Sequence, residues 1–365
     1  MYKKIILLIG LLCFTIVSFS QSPKYSNEFL AIGVGARALG MSNSVVASVD
    51  DVTSGYWNPA GLSLIKSDRQ LVLMHSEYFA GIAKYDYGSL SARIDATSTV
   101  GISFIRFGVD KIPDTSELID SEGNVNYDKI KSFSAADYAF IFSYARKTKI
   151  EGFRYGVNVK VIRRVVGDFA NSWGFGLDVG AQYDYGKWNF GLTAKDITST
   201  FNAWNYNLND NMIEVYSQTG NEIPENSMEI TMPRLLFGVA RKFNISKKFT
   251  TLLEVDFDLT TDKKRNVLIK GDPISIDPHM GLEIGYNNFV FLRAGIGNIQ
   301  DETNMNDETI TTFQPNLGIG INIKNVVTID YALTDIGNSS IALYSNVFSL
   351  KVNINKRGAS PSVSD

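Results

Sequence analysis

The chain has 365 residues, a formal charge of −3, plentiful glycine (30) and aromatics (12%), few prolines (9) and one cysteine. This balance offers no basic face for nucleic acid, and the single Cys13 sits near the start, so neither disulfides nor thiolate metal sites hold the rest together. Beyond the first twenty residues no run of about 20 apolar residues could cross a membrane as a helix. A secreted chain of this kind is either a soluble β-protein or a membrane β-barrel.

Residues 1–20 read as a secretory signal peptide. "MYKK" supplies the positive start, "IILLIGLLCFTIV" the apolar run and "SFS" the small-residue cleavage site before Gln21. Leu12 before Cys13 is too large for a lipoprotein site. Removal of the peptide takes the charge to −5. Residues 21–67 carry apolar positions such as Phe29, Leu30, Ile32, Val34, Leu39 and Met41, and are expected to form a hatch or plug that enters the barrel from the periplasmic end. The segment closes with "DDVTSGYWNPAGLS". There Asn58 can bond its own following backbone, Pro59 fixes φ and Gly61 permits a left-handed step. Trp57 adds a large aromatic surface with one donor. A hatch pivot and a plain tight turn are both compatible with these residues.

From residue 68 the period is two. Trp173, Phe175, Leu177, Val179, Ala181, Tyr183 and Tyr185 alternate with Gly174, Gly176, Asp178, Gly180, Gln182 and Asp184, about twice the length of an ordinary globular strand. Fourteen such segments begin near residues 68, 82, 97, 136, 153, 172, 187, 230, 248, 277, 288, 312, 325 and 342. Alternate connections are tight ("DAT", "IEG", "G", "ISK", "N", "K"). The others include long polar loops near 109–135, 197–229, 259–276 and 298–311. Short turns at one end, long loops at the other and an even strand count predict an all-β fold: a transmembrane antiparallel β-barrel of about 14 strands, residues 68–355, in the bacterial outer membrane. Its apolar face meets lipid. Tyr138, Tyr144, Trp173, Tyr185, Trp188, Tyr286, Tyr331 and Tyr344 fit interfacial girdles. Residues 356–365, "KRGASPSVSD", form a polar tail.

The predicted lumen is charged, with Arg154, Lys160 and Arg164 on one strand, Asp178 and Asp184 on the next, and a row of Glu254, Asp256 and Asp258. The acidic row is expected to pair with basic residues on the preceding strand, such as Arg234 or Lys242. Catalytic chemistry finds little support. His75 and His279 have no partner at metal-ligand spacing, "GVGARALG" lacks the spacing of a phosphate loop, and residues 120–128 lack a calcium-loop pattern. No enzyme activity, cofactor or metal is expected.

The N-terminal block "NEFLAIGVGARALGMSNSVVASVDDVTSGYWNPAGLS" resembles the signature of the PorV/PorQ family of outer-membrane proteins, part of the type IX secretion system and within the wider group of FadL-like fourteen-stranded barrels. The matching positions are Gly35 to Met41 (with Arg37 and Gly40), then Asp50-Asp51, then Trp57-Asn58-Pro59-Ala60-Gly61. The resemblance implies a non-enzymatic barrel whose extracellular loops, chiefly 109–135 and 197–229, engage cargo C-terminal signal domains or a translocon subunit. A second reading is a FadL-type transporter of hydrophobic small molecules gated by the hatch. Such a transporter needs an apolar lumen pocket and a gap in one strand wall.

Overall fold

The computed structural model describes residues 26–355, except 116–117, 119–123, 219, 221, 304–306 and 337–343. The expected signal peptide and polar C-terminal tail lie outside the described residues. The strands of the first half are β1 (Arg69–Tyr78), β2 (Ala83–Arg93), β3 (Ser98–Asp114), β4 (Lys131–Lys147), β5 (Phe153–Val166), β6 (Ala170–Tyr185), β7 (Trp188–Lys195) and β8 (Thr200–Tyr206). Those of the second half are β9 (Ser227–Thr231), β10 (Arg234–Asn244), β11 (Phe249–Thr260), β12 (Ser275–Tyr286), β13 (Val290–Thr303), β14 (Thr309–Ile323), β15 (Val327–Thr334) and β16 (Ser345–Ile354).

Every pairing is antiparallel, β1 closes against β16, and β5 pairs with β6 to complete the ring. The sixteen strands make a closed barrel of fourteen staves, because two staves are each broken in two. β6 pairs with β7 through Val179–Tyr185 and with β8 through Ala170–Phe175. β7 and β8 are therefore successive halves of one stave, interrupted at 196–199. On the far side β10 pairs with β7 and β9 with β8, so the neighbouring stave is interrupted at 232–233.

Two of the expected long loops are shorter than the sequence suggests. β3 runs on to Asp114 and β4 starts at Lys131, while the stretch 197–229 holds β8, a helix over Asp210–Gln218 and part of β9. These extensions pair through backbone hydrogen bonds beyond the apolar band, where neither face must be greasy. They leave no two-residue hydrophobic signal to read.

The alternation fixes which way each stave faces. On β6, Trp173, Phe175, Leu177 and Val179 point outward at 37–49% exposure, while Ser172, Asp178 and Gln182 point inward and are buried. Outward apolar side chains on every stave of a closed ring form the lipid-facing band of a membrane barrel. Trp173, Tyr185, Trp188, Tyr286 and Tyr344 are all exposed.

The core is built by the segment before β1. Val34, Leu39, Met41, Val45, Val49, Val52, Trp57 and Leu62 are buried in one cluster with lumen-facing Met74, Tyr85, Tyr87 and Ile105. Each such aliphatic side chain contributes about 1.5–3 kcal/mol of burial. Residues 26–67 fold as short helical turns (Glu28–Leu30, Ala36–Leu39, Ser54–Trp57, Pro59–Leu64) inside the ring. Helical turns satisfy the backbone locally, so the segment needs no place in the sheet.

Candidate functional site: the hatch, the lumen and the broken staves

The hatch is held to the wall by its backbone. Val45 and Val46 N–H donate to Asp256 Oδ2 at 2.9 and 3.0 Å, and Ala47 and Ser48 N–H donate to Glu254 Oε1 at 2.6 and 3.3 Å. Glu254 and Asp256 therefore do not pair with Arg234 or Lys242 as the sequence suggested. A two-residue strand spacing places both carboxylates in line with four consecutive amides that a non-helical stretch leaves free. Gln70 accepts from Val52 N–H at 2.6 Å, and Gln182 donates to the Val46 and Val49 carbonyls.

The aromatic turn lies buried in the lumen. Trp57 Nε1 donates to the Val34 carbonyl at 2.9 Å, and the Tyr56 hydroxyl donates to the Leu30 carbonyl at 2.6 Å. The two rings meet edge to face at 4.8 Å. Asn58 Oδ1 accepts from Ala60 N–H, capping the turn that Pro59 opens. Its Nδ2 ties Val46 of the hatch to Ala181 of β6, both at 3.0 Å. Asn58 is thus a bridge as well as a cap. Gly61 takes no left-handed step. It is glycine because a Cβ there would lie 2.3 Å from the Val49 carbonyl oxygen. Ala60 is fully buried. The wall answers in kind: a Cβ at Gly156 would stand 2.4 Å from Pro59, and one at Gly191 would stand 2.3 Å from the Val46 oxygen.

Ion pairs complete the seating. Arg37 Nε reaches Glu283 at 3.0 Å, and Glu283 also takes Arg293 at 2.7 Å, which extends to Asp330 at 2.6 Å. Gly40 rests on the Gly318 backbone. Asp50 is exposed at the periplasmic mouth, whereas Asp51 is buried and accepts from Lys351 at 2.9 Å and from the Thr53 hydroxyl at 2.5 Å. Burial alone would raise the Asp51 carboxyl, but the Lys351 ammonium and the Thr53 hydroxyl overcome it and hold the acid well below its usual range.

Several of the remaining lumen charges pair with one another. Arg154 makes a two-pronged contact with Asp184 at 2.6 and 2.9 Å, and Lys160 sits between Asp178 (2.7 Å) and Asp196. Arg164 meets Asp137 at 2.8 Å and lies over the Trp204 ring. His279 faces the lumen, 3.4 Å from Asp258 and 3.1 Å from the Ser44 hydroxyl. His75 is on the outer face beside Asp86. Among the described residues no cluster of three or more His, Cys, Asp or Glu side chains is arranged to hold a metal.

Two spaces flank the hatch. The extracellular vestibule, ≈ 960 Å³, is lined by Tyr56, Trp57, Tyr78, Phe107, Lys195 and Arg234 among others; the periplasmic one, ≈ 360 Å³, is lined by Arg37, Asp50, Arg154 and Lys242. Sequence reasoning missed a third feature, at the broken staves. At 196–199 the strand is interrupted by a turn, with Asp196 and Ser199 both at positive φ, while Ile197 N–H still donates to the Leu177 carbonyl of β6. Lys160 and Thr200 hold the Asp196 carboxylate there. Opposite, Pro233 supplies no donor at the other break. Against the two interruptions lies a cavity of ≈ 60 Å³, lined by Leu30, Tyr56, Ile230, Met232 and Pro233 and by charged side chains that include the pairs Lys160–Asp196 and Arg265–Asp262. "KDITST" followed by "TMPR", each at the same depth of adjacent staves, was the signal available.

No known protein-family profile matches the chain, and no curated protein matches it in sequence. Solved structures do. The toluene transporter TodX of Pseudomonas putida superposes with a TM-score of 0.55 at 12% identity, over 92% of this chain and all of that one. The toluene transporter TbuX of Ralstonia pickettii gives 0.51 at 11%, over 88% of this chain and 99% of its own. A FadL homologue of Pseudomonas aeruginosa gives 0.50 at 11%, over 88% and 98%. The chain has the FadL-like outer-membrane barrel fold. At this identity the likeness concerns the fold alone.

Proposed function

We propose that the protein is a non-enzymatic outer-membrane barrel that passes small, largely apolar molecules through a side opening beside a seated hatch. The single observation that carries this reading is the matched interruption of two adjacent staves, 196–199 and 232–233, over a cavity open to the vestibule. A hatch tied by this many hydrogen bonds closes the axial route, whereas a path at the interrupted staves would leave the hatch seated. The charges near the path are mostly neutralised in place, since Lys160 is held by Asp178 and Asp196, and an apolar solute need not strip them of partners. The fold's likeness to toluene transporters and to a FadL homologue supports the same direction.

A second reading, docking of type IX cargo C-terminal domains or a translocon subunit, is favoured by the block Gly35–Gly61 and by the β8–β9 ribbon with its helix over Asp210–Gln218. Native purification of the tagged barrel from outer membranes, with mass spectrometry of bound proteins and small molecules, separates the two. Passage predicts a barrel carrying small apolar ligand and no stoichiometric protein. Cargo domains or a large translocon subunit in equal amount would replace it with the docking reading.

A further inference from the structure

The two acids that hold the hatch differ from the paired acids of the lumen. Asp51, Asp178, Glu283 and Asp330 each meet a cation. Glu254 and Asp256 are both fully buried, and among the described residues neither forms an ion pair. The charged groups around them are turned elsewhere. On β12, His279 stands opposite Asp256, but its ring reaches Asp258 and the Ser44 hydroxyl. Asp277 lies one pair further along, opposite Asp258, and Glu283 is taken by Arg37 and Arg293. On β10 the direct partners are Gly238 and Ala240, and Lys242 is exposed at the periplasmic mouth together with Asp50 of the hatch.

The four carboxyl oxygens fall into two sets. Asp256 Oδ2 and Glu254 Oε1 accept from the consecutive hatch amides of Val45, Val46, Ala47 and Ser48. Glu254 Oε2 and Asp256 Oδ1 are buried with no donor among the described residues. A Cβ at Gly238 would stand 2.4 Å from Asp256 Oδ1, so no side chain of β10 comes between. The two acids, two residues apart on one face of β11, lie within hydrogen-bonding reach of each other. Two buried carboxylates in contact repel, and a buried oxygen without a donor costs stability. A carboxylate can only accept, whereas a protonated carboxyl adds one donor. One hydrogen between the two free oxygens removes both penalties and leaves the other two oxygens to the amides. A second hydrogen would have nothing to donate to, because the hatch presents only N–H groups here.

We propose that Glu254 and Asp256 share one proton between Glu254 Oε2 and Asp256 Oδ1, and that this acid–carboxylate clasp is the latch that seats the hatch. The proton is then a ligand of the seat. With it, four consecutive amides are gripped by two acceptors that do not repel. Without it, two like charges press together beneath Val45–Ser48 and the closure of the axial route is lost. The inference concerns how the hatch is held, and it stands whether the barrel passes small molecules or docks a protein.

The test uses the full barrel in a non-ionic detergent at neutral pH, read by infrared spectroscopy in heavy water and by protease digestion of the hatch. Glu254→Gln and Asp256→Asn each copy a protonated partner: the amide oxygen still accepts from the hatch, and an amide N–H takes the place of the shared hydrogen. Each single variant is expected to lose a protonated-carboxyl carbonyl band that wild type shows, and to keep hatch cleavage within about twofold of wild type. The double variant must turn one NH2 group either on its twin or on the hatch amides, and is expected to speed hatch cleavage at least about tenfold. Heat-modifiable migration checks that each barrel is intact, and if the double variant does not assemble the infrared comparison of the singles decides alone. A wild-type spectrum with no protonated-carboxyl band that the single variants lose overturns the proposal. So does a double variant as well protected as the singles, the result expected if both acids are ionised and neutralising them merely relieves repulsion.

Discussion

Asn58 shows how much one side chain can hold. Its amide donates to two carbonyls, one on the hatch and one on the wall, and its oxygen caps the turn. Removing it takes the side-chain donor from the Ala181 carbonyl and one of the two from the Val46 carbonyl, which Gln182 still reaches, a loss of about 1–3 kcal/mol in all. The double variant Trp57→Ala and Asn58→Ala is therefore expected to loosen the hatch and raise uptake of a polar dye by cells. Unchanged permeability in a correctly assembled barrel would reduce the motif to a plain turn. Asp51 gives a pH test. Its folded value lies below the ordinary 3.8, so the stability it contributes is complete above that value and is lost as pH falls through the lowered one. Hatch protection from protease should be flat from pH 7 to 5 and decline below about 4. Asp51→Asn should cost about 3 kcal/mol at neutral pH and remove most of the acid-side decline; a variant that keeps the wild-type decline would show that other groups set it.

At the scale of elements, the staves were legible and their breaks were not. Trp173 to Tyr185 declares its faces because lipid on one side and a packed lumen on the other impose a strict period of two. Fourteen start points read this way correspond to the fourteen staves. The interruption at Lys195–Thr200 leaves no such mark, since a turn held by the Asp196 carboxylate depends on Lys160, 36 residues away. The acidic row was visible, but its partners were backbone amides of the hatch, and no residue type signals a free amide. Wall glycines are the other hidden element of fit. Gly156→Val and Gly191→Val place side-chain atoms where the hatch backbone already lies, and each is expected to unseat the hatch and expose it to protease without dissolving the barrel. Full protection in both variants would mean that the hatch does not press on the wall at these points.

For the whole molecule, the arrangement separates two jobs. The ring and its lipid-facing band provide a stable wall, and the hatch supplies the packed core that a fourteen-stave ring would otherwise lack. Because the hatch is the core, opening the axial route would cost much of the molecule's packing, whereas the proposed passage at the interrupted staves would leave that packing in place. That asymmetry favours a wall exit for small solutes over axial flow. Ala31 lines both the vestibule and the cavity at the break, so Ala31→Trp should fill the opening and leave the hatch bonds untouched. The most direct measurement is uptake of a radiolabelled monoaromatic hydrocarbon and of a small polar dye by cells producing the wild-type barrel, the Ala31→Trp variant or neither. The account predicts hydrocarbon uptake several-fold above the empty cells with wild type only, and no dye uptake in any of them. Hydrocarbon uptake equal in all three, or unaffected by the tryptophan, would contradict it.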